Sequence, residues 1–156
     1  MSLLFESIKI EDGKICNLKL HEQRMNKARL ELFGASPIRL KPYIKIPEGA
    51  QQGVYKCRIS YEQYVDRVVF LDYQVKKIGS LKVVKNNKIE YDHKYKDRDC
   101  LHRMYQKRGR ADDVIIIKNS WVTDSYYANL VFWNGEEYHT SDTPLLDGVK
   151  RRQLIE

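Results

Sequence analysis

The dipeptide Asp12-Gly13 constrains this chain more than any other short feature. It stands between residues 4–10, where apolar and polar side chains alternate, and residues 14–18, which read as a returning strand. Asp-Gly between two such runs is the chemistry of a tight hairpin, because both turn positions need positive φ. The same signature recurs. Asn86-Asn87 lies between 81–84 and 89–91, Asn119-Ser120 between 113–118 and 121–122, and Asn134-Gly135 follows 129–133. Strands over 53–61 and 67–73 complete a set rich in antiparallel pairs. Helices are few. Residues 20–33 are strong helix formers with Met25, Ala28 and Leu32 on one face and Gly34 as a C-terminal stop. Asp97 can cap a helix to about 107, and Asp147 one that starts at Gly148. Residues 36–53, broken by prolines, read as a loop with a short extended piece, and 78–80 as a crossover. The fold class is α+β, mostly antiparallel.

Composition narrows the chemistry. With 156 residues, 42% of them hydrophobic and 31% charged, the chain suits one domain or two small lobes. No apolar run approaches a membrane span, and no basic-then-apolar leader opens the sequence. Three widely spaced cysteines fit reduced thiols of a cytoplasmic protein, and the four histidines show no metal-ligand spacing, so no metal is expected. The net charge of +7 is spread along the chain and mixed with acids. That distribution argues against nucleic acid or membrane as partner and leaves a solvated surface or an anionic small ligand.

Four segments in order carry a resemblance. Phe5-Glu6-Ser7-Ile8 through Asp12-Gly13 leads to His21-Glu22-Gln23-Arg24, an HxxR helix. Lys94-Tyr95-Lys96-Asp97-Arg98 forms KxxxR. An apolar strand at 113–117 precedes Trp121-Val122-Thr123-Asp124 and Ala128-Asn129-Leu130. Last come Thr140, Pro144-Leu145-Leu146 and Gly148-Val149-Lys150-Arg151. Together they resemble the class IV aminotransferase and aminodeoxychorismate lyase family, the fold type IV pyridoxal-phosphate enzymes. Three positions depart from the family pattern: Met25 for leucine, Asp124 for glutamate and Lys150 for threonine.

The resemblance implies a two-lobed D-amino-acid aminotransferase-like fold. Residues 1–78 would form an N-terminal α/β lobe, and 79–156 a C-terminal lobe carrying the cofactor lysine and lacking the family's last segment. It implies pyridoxal 5'-phosphate held as a Schiff base on Lys94, whose amine must titrate below the ordinary ~10.4 to react. Lys96, two residues on, would share its face on a strand and is the rival. Arg24 would bind the phosphate, with Val149 and Lys150 at the start of the last helix and Thr140 through its hydroxyl. Asp124 would stand beside the pyridine nitrogen, with Asn129 ordering the loop behind it; Arg151 is either a further phosphate ligand or a solvated helix residue. The activity implied is a lyase releasing pyruvate and leaving 4-aminobenzoate, a folate precursor. The alternatives are an aminotransferase of amino acids and a binding protein without turnover. The partners implied are a small amine substrate and a second copy of the chain in a homodimer.

Overall fold

The computed structural model describes residues 3–156 and divides into two compact units. The first takes in the chain up to Val75, then His93–Lys96 and Glu156. The second comprises Lys76–Asp92 and Asp97–Ile155.

The first unit is a four-stranded antiparallel sheet in the order β2-β1-β3-β4, from β1 (Leu4–Glu11), β2 (Lys14–Ile15), β3 (Val54–Tyr61) and β4 (Val65–Asp72). Asp12 and Gly13 take φ values of 47° and 73°, as the hairpin requires. One face of the sheet is covered by helix α1 (Leu18–Phe33), which ends at Gly34 in the left-handed region. Leu4, Ile8 and Ile10 of β1 and Cys57, Ile59 and Tyr61 of β3 alternate onto that face and meet Met25 and Ala28. Leu32, expected on the apolar stripe, is 38% exposed. Arg29 is buried instead, its guanidinium donating to the carbonyls of Gln63 and Ser36 and to Asn26 Oδ1. The 36–53 loop is better ordered than its prolines suggest: it forms single 3-10 turns at Lys41–Tyr43 and Glu48–Ala50 and buries Leu40 and Ile44 in the core.

The second unit holds a three-stranded sheet, order β5-β6-β7, from β5 (Leu81–Lys85), β6 (Asp113–Lys118) and β7 (Trp121–Val122). A separate hairpin joins β8 (Val131–Trp133) to β9 (Tyr138–Thr140). Two helices belong here, α2 (Asp99–Gln106) and α3 (Val149–Ile155). Asp97 Oδ1 accepts from the Asp99 amide at 2.9 Å at the start of α2. The expected hairpin at Asn86-Asn87 does not form. β5 runs parallel to β6, with α2 in the connection, and 89–91 is not a strand. Ile89 and Tyr91 alternate because both are buried, while Asn86 donates to the Ile117 carbonyl in β6 and Asn87 accepts from Asn119 in the β6–β7 turn. Alternation marked burial there, not pairing.

A lobe boundary was expected at residue 78, and the compact units divide as follows. The division falls after Val75, and the segment containing Lys94 belongs with the first unit rather than the C-terminal half. The reason is backbone pairing: Tyr95 forms an antiparallel bridge with Leu4, so 93–96 extends the edge of β1 beyond the short β2. No helix among the described residues is long and apolar enough to cross a membrane, and no group of three or more metal-ligating side chains occurs among them.

Candidate active site

Lys94 is placed by backbone geometry. Its carbonyl accepts from Phe5 N at 3.0 Å, and Lys96 N donates to the Leu3 carbonyl at 2.8 Å. Tyr95, between them, packs on the first unit's core. Side chains alternate along an extended segment, so anchoring Tyr95 inward turns Lys94 and Lys96 the other way. The Lys94 amine lies 4.9 Å from the centre of the Phe5 ring. Of the two rivals, Lys94 therefore has a defined aromatic neighbour.

On the helix side of β1, His21 and Arg24 project from one face of α1 because they are three residues apart. Both converge on Glu6, which is fully buried. His21 Nδ1 is 2.6 Å from Glu6 Oε2, and Arg24 donates from Nε to Oε1 at 3.0 Å and from Nη2 to Oε2 at 2.5 Å. Burial alone would raise the Glu6 pKa. The Arg24 charge, the hydrogen bonds from His21 and Arg24, and the His21 charge outweigh it and hold the carboxyl at about 2. Arg24 is thus a half-buried ion-pair partner whose guanidinium plane is fixed by the buried Glu6.

The second unit presents a different constellation. Asp124 follows β7 and is buried, 5% exposed. Its Oδ1 accepts from the Asn129 amide, and its Oδ2 from the backbone N–H groups of Leu145 at 2.5 Å and Leu146 at 3.3 Å. Burial raises its pKa to about 6 against those hydrogen bonds and the Arg151 charge. Asn129 also donates to the Leu146 carbonyl at 2.9 Å. A Cβ at Gly148 would overlap Asn129 Oδ1, so only glycine lets the start of α3 approach this closely. Arg151 Nε and Nη2 bond the Ser141 carbonyl, and Thr140 donates its hydroxyl to Leu130 O at 2.8 Å. Asp124, Asn129, Thr140 and the first turn of α3 are therefore tied into one framework. Val149 is buried, whereas Lys150 is exposed with its amine on Gln153.

Arg98, the far end of KxxxR, belongs to this second framework. It donates to the Tyr126 carbonyl, two residues past Asp124, and its guanidinium lies 4.6 and 4.9 Å from the rings of Tyr126 and Tyr127. KxxxR thus has its lysine in one unit and its arginine in the other.

A crystal structure from Haemophilus somnus, provisionally named as a 4-amino-4-deoxychorismate lyase, matches with a TM-score of 0.92 and 30% identity over 99% of this chain and 83% of its own. The chain belongs to the fold type IV family of aminodeoxychorismate lyase-like and aminotransferase proteins. An uncharacterized protein of Haemophilus influenzae shares 36% identity over 98% of this chain and 83% of its own length. The fold type IV architecture is also that of a hypothetical aminotransferase from Mycobacterium tuberculosis solved with pyridoxal phosphate. That match has a TM-score of 0.76 and 16% identity over 99% of this chain and 66% of that one, a likeness that shows the fold. No protein-family model matches the chain.

Of the positions singled out in the sequence, Arg24 and Lys94 lie in the first unit, and Asp124, Asn129, Thr140, Val149 and Lys150 in the second. Sequence reasoning missed two of their supports. Glu6 could have been found, because it shares the inward phase of Leu4, Ile8 and Ile10 and an inward carboxylate demands a cation. Gly148 offered no such signal, since its need for a bare Cα comes from Asn129, nineteen residues earlier.

Proposed function

We propose that this chain is a pyridoxal-phosphate-dependent enzyme acting on a small amine, with Lys94 as its cofactor lysine and a lyase reaction that releases pyruvate and leaves 4-aminobenzoate. The observation that carries the reading is the state of Asp124. A carboxylate accepts at about four positions, and three are filled here, all by neutral donors. Its raised pKa reflects burial without a cationic hydrogen-bond donor. A protonated pyridine nitrogen is such a donor, so the residues present fit the cofactor.

Pyridoxal phosphate supplies an aldehyde that a primary amine can join and a ring that takes up electron density from the bond being broken. Lys94 would be the amine that holds it, and its Nζ would be the base that takes a proton from the substrate. Asp124 would be the carboxylate that favours a protonated ring nitrogen, and Asn129 holds Asp124 in place. Arg24 would be the phosphate ligand, its plane set by Glu6, with Thr140 and the backbone N–H groups of Val149 and Lys150 as further candidates to hold the phosphate. The Haemophilus somnus likeness favours the lyase over amino transfer. The working unit in this reading is a cytoplasmic homodimer, which sedimentation of the purified protein tests.

The test is borohydride trapping of cofactor-treated protein followed by peptide mapping. Lys94 is expected to carry the label, Lys94→Ala to lose it and Lys96→Ala to keep it. Label on any other lysine ends the reading. With aminodeoxychorismate as substrate, stoichiometric pyruvate supports the lyase; keto-acid formation from amino donors without pyruvate assigns amino transfer. Trapping at Lys94 without turnover of either kind leaves a cofactor-binding protein.

A further inference from the structure

Tyr126 sits in a short loop whose two ends, Asp124 and Asn129, meet in an antiparallel bridge. Ser125 closes the loop on itself. Its N–H and hydroxyl donate to the Ala128 carbonyl, and its Oγ accepts from the Ala128 amide at 3.1 Å. A loop tied this tightly moves as one piece, so whatever fixes Tyr126 also fixes Asp124.

Tyr126 is fixed in three ways. Its N–H donates to Asp113 Oδ1 at 3.2 Å, at the start of β6. Its carbonyl accepts from Arg98. Its ring stacks on Tyr105 of α2, with centroids 4.5 Å apart and 21° between the planes. Arg98 also lies over the Tyr126 and Tyr127 rings, and Arg108 lies 3.9 Å from the centre of Tyr105, so cations flank the stacked pair.

Arg98 has no evident use in the helix that it precedes. It stands at the N-terminal flank of α2 but makes no capping hydrogen bond there. It is half-buried, pairs with no carboxylate among the described residues, and keeps a buried Nε without an acceptor. Such a guanidinium costs free energy. Its hydrogen bond and both of its ring contacts are with Tyr126 and Tyr127.

We propose that Arg98 is a positioning residue that pins the 125–128 loop down on Asp124 and keeps water away from that carboxylate. The stack of Tyr105 on Tyr126 is the second pin. A carboxylate acts most strongly on a neighbouring cation where water is excluded, and the loop provides that exclusion. Its bearing on catalysis rests on the reading of Asp124 as the carboxylate beside the ring nitrogen; the hold of the loop on Asp124 does not.

The experiment is carboxyl NMR titration of Asp124 in the full chain without cofactor. The proteins compared are wild type, Arg98→Met, Arg98→Lys, Tyr105→Ala and Tyr105→Phe. Burial holds the wild-type carboxyl at about 6, against the hydrogen bonds it accepts and the Arg151 charge. Opening the loop admits water, so Arg98→Met is expected to bring the midpoint below about 5, toward the ordinary 3.8. The sign is diagnostic. Loss of a cation by charge alone would raise a carboxyl midpoint, and a residue that only supports the fold would leave it in place. Tyr105→Ala should lower the midpoint by less, and Tyr105→Phe should leave it unchanged because the ring remains. Arg98→Lys should recover part of the loss.

Denaturant unfolding of each variant reports folding separately. An Arg98→Met midpoint that stays or rises in a folded protein overturns the proposal, as does a wild-type midpoint near 3.8. If Arg98→Met does not fold, Tyr105→Ala decides in its place, and an unmoved midpoint there overturns the proposal. Borohydride trapping at Lys94 keeps the two readings apart. A midpoint lowered in Arg98→Met, in a chain whose Lys94 is never trapped, upholds the positioning role and refutes the cofactor reading instead.

Discussion

Glu6 and Asp124 are both buried carboxylates, one in each unit, and their surroundings push them in opposite directions. Glu6 receives the Arg24 guanidinium and the His21 ring and stays ionised far into acid. Asp124 receives an amide and two backbone N–H groups, which satisfy its geometry but do not offset its loss of hydration. Neutral donors position a charge; cations stabilise it. Glu6 is held by an ion pair, whereas Asp124 is held by neutral donors alone.

The largest effect should come from breaking the finished pair. Arg24→Ala leaves Glu6 buried with His21 alone and is expected to cost about 3–5 kcal/mol in denaturant unfolding. A loss below about 1 kcal/mol would mean that the pair is not what holds α1 against β1.

The pH dependence of stability sharpens the contrast through its sign. Glu6 falls from an ordinary 4.5 to about 2 on folding, so its contribution is present above pH 4.5 and lost as pH falls toward 2. Asp124 rises from 3.8 to about 6, so its contribution is present below pH 4 and lost as pH rises through 6. Each is on the order of 3 kcal/mol. Glu6→Gln should flatten the unfolding profile between pH 2 and 4.5 relative to wild type, and Asp124→Asn the profile between pH 4 and 6. Profiles altered in the same pH window by both variants would refute the contrast.

Asn129→Ala removes the amide from Asp124 and should cost about 1–3 kcal/mol while moving the Asp124 midpoint above 6, read by carboxyl NMR. The smallest effect is a coupling. Gly148→Ala should cost about 1–3 kcal/mol in the wild-type background and much less in Asn129→Ala, because the atom it overlaps is then gone. Additive losses would place the strain elsewhere.

How much of this was legible beforehand differs between elements. The hairpins at Asp12-Gly13, Asn119-Ser120 and Asn134-Gly135, and the stop at Gly34, follow from local backbone chemistry, and the structure forms all four. Asn86-Asn87 carried the same signature but flanks a parallel pair, because Ile89 and Tyr91 are drawn into the core while β5 pairs with β6. Leu32 lies in phase with Met25 and Ala28 yet remains partly exposed, since periodicity does not say what covers each turn of a helix. At the site, Asp124 with Asn129 and the HxxR pair stood out as motifs.

The four-residue return of 93–96 to β1 has a consequence for biosynthesis. The sheet edge that begins at residue 4 stays open until residue 96 has left the ribosome, across a long loop that must close against its own entropy. A nascent or recombinant fragment ending near residue 78 lacks both that edge and the lysine beside it, so finishing the sheet and installing the amine are a single event in the life of the chain.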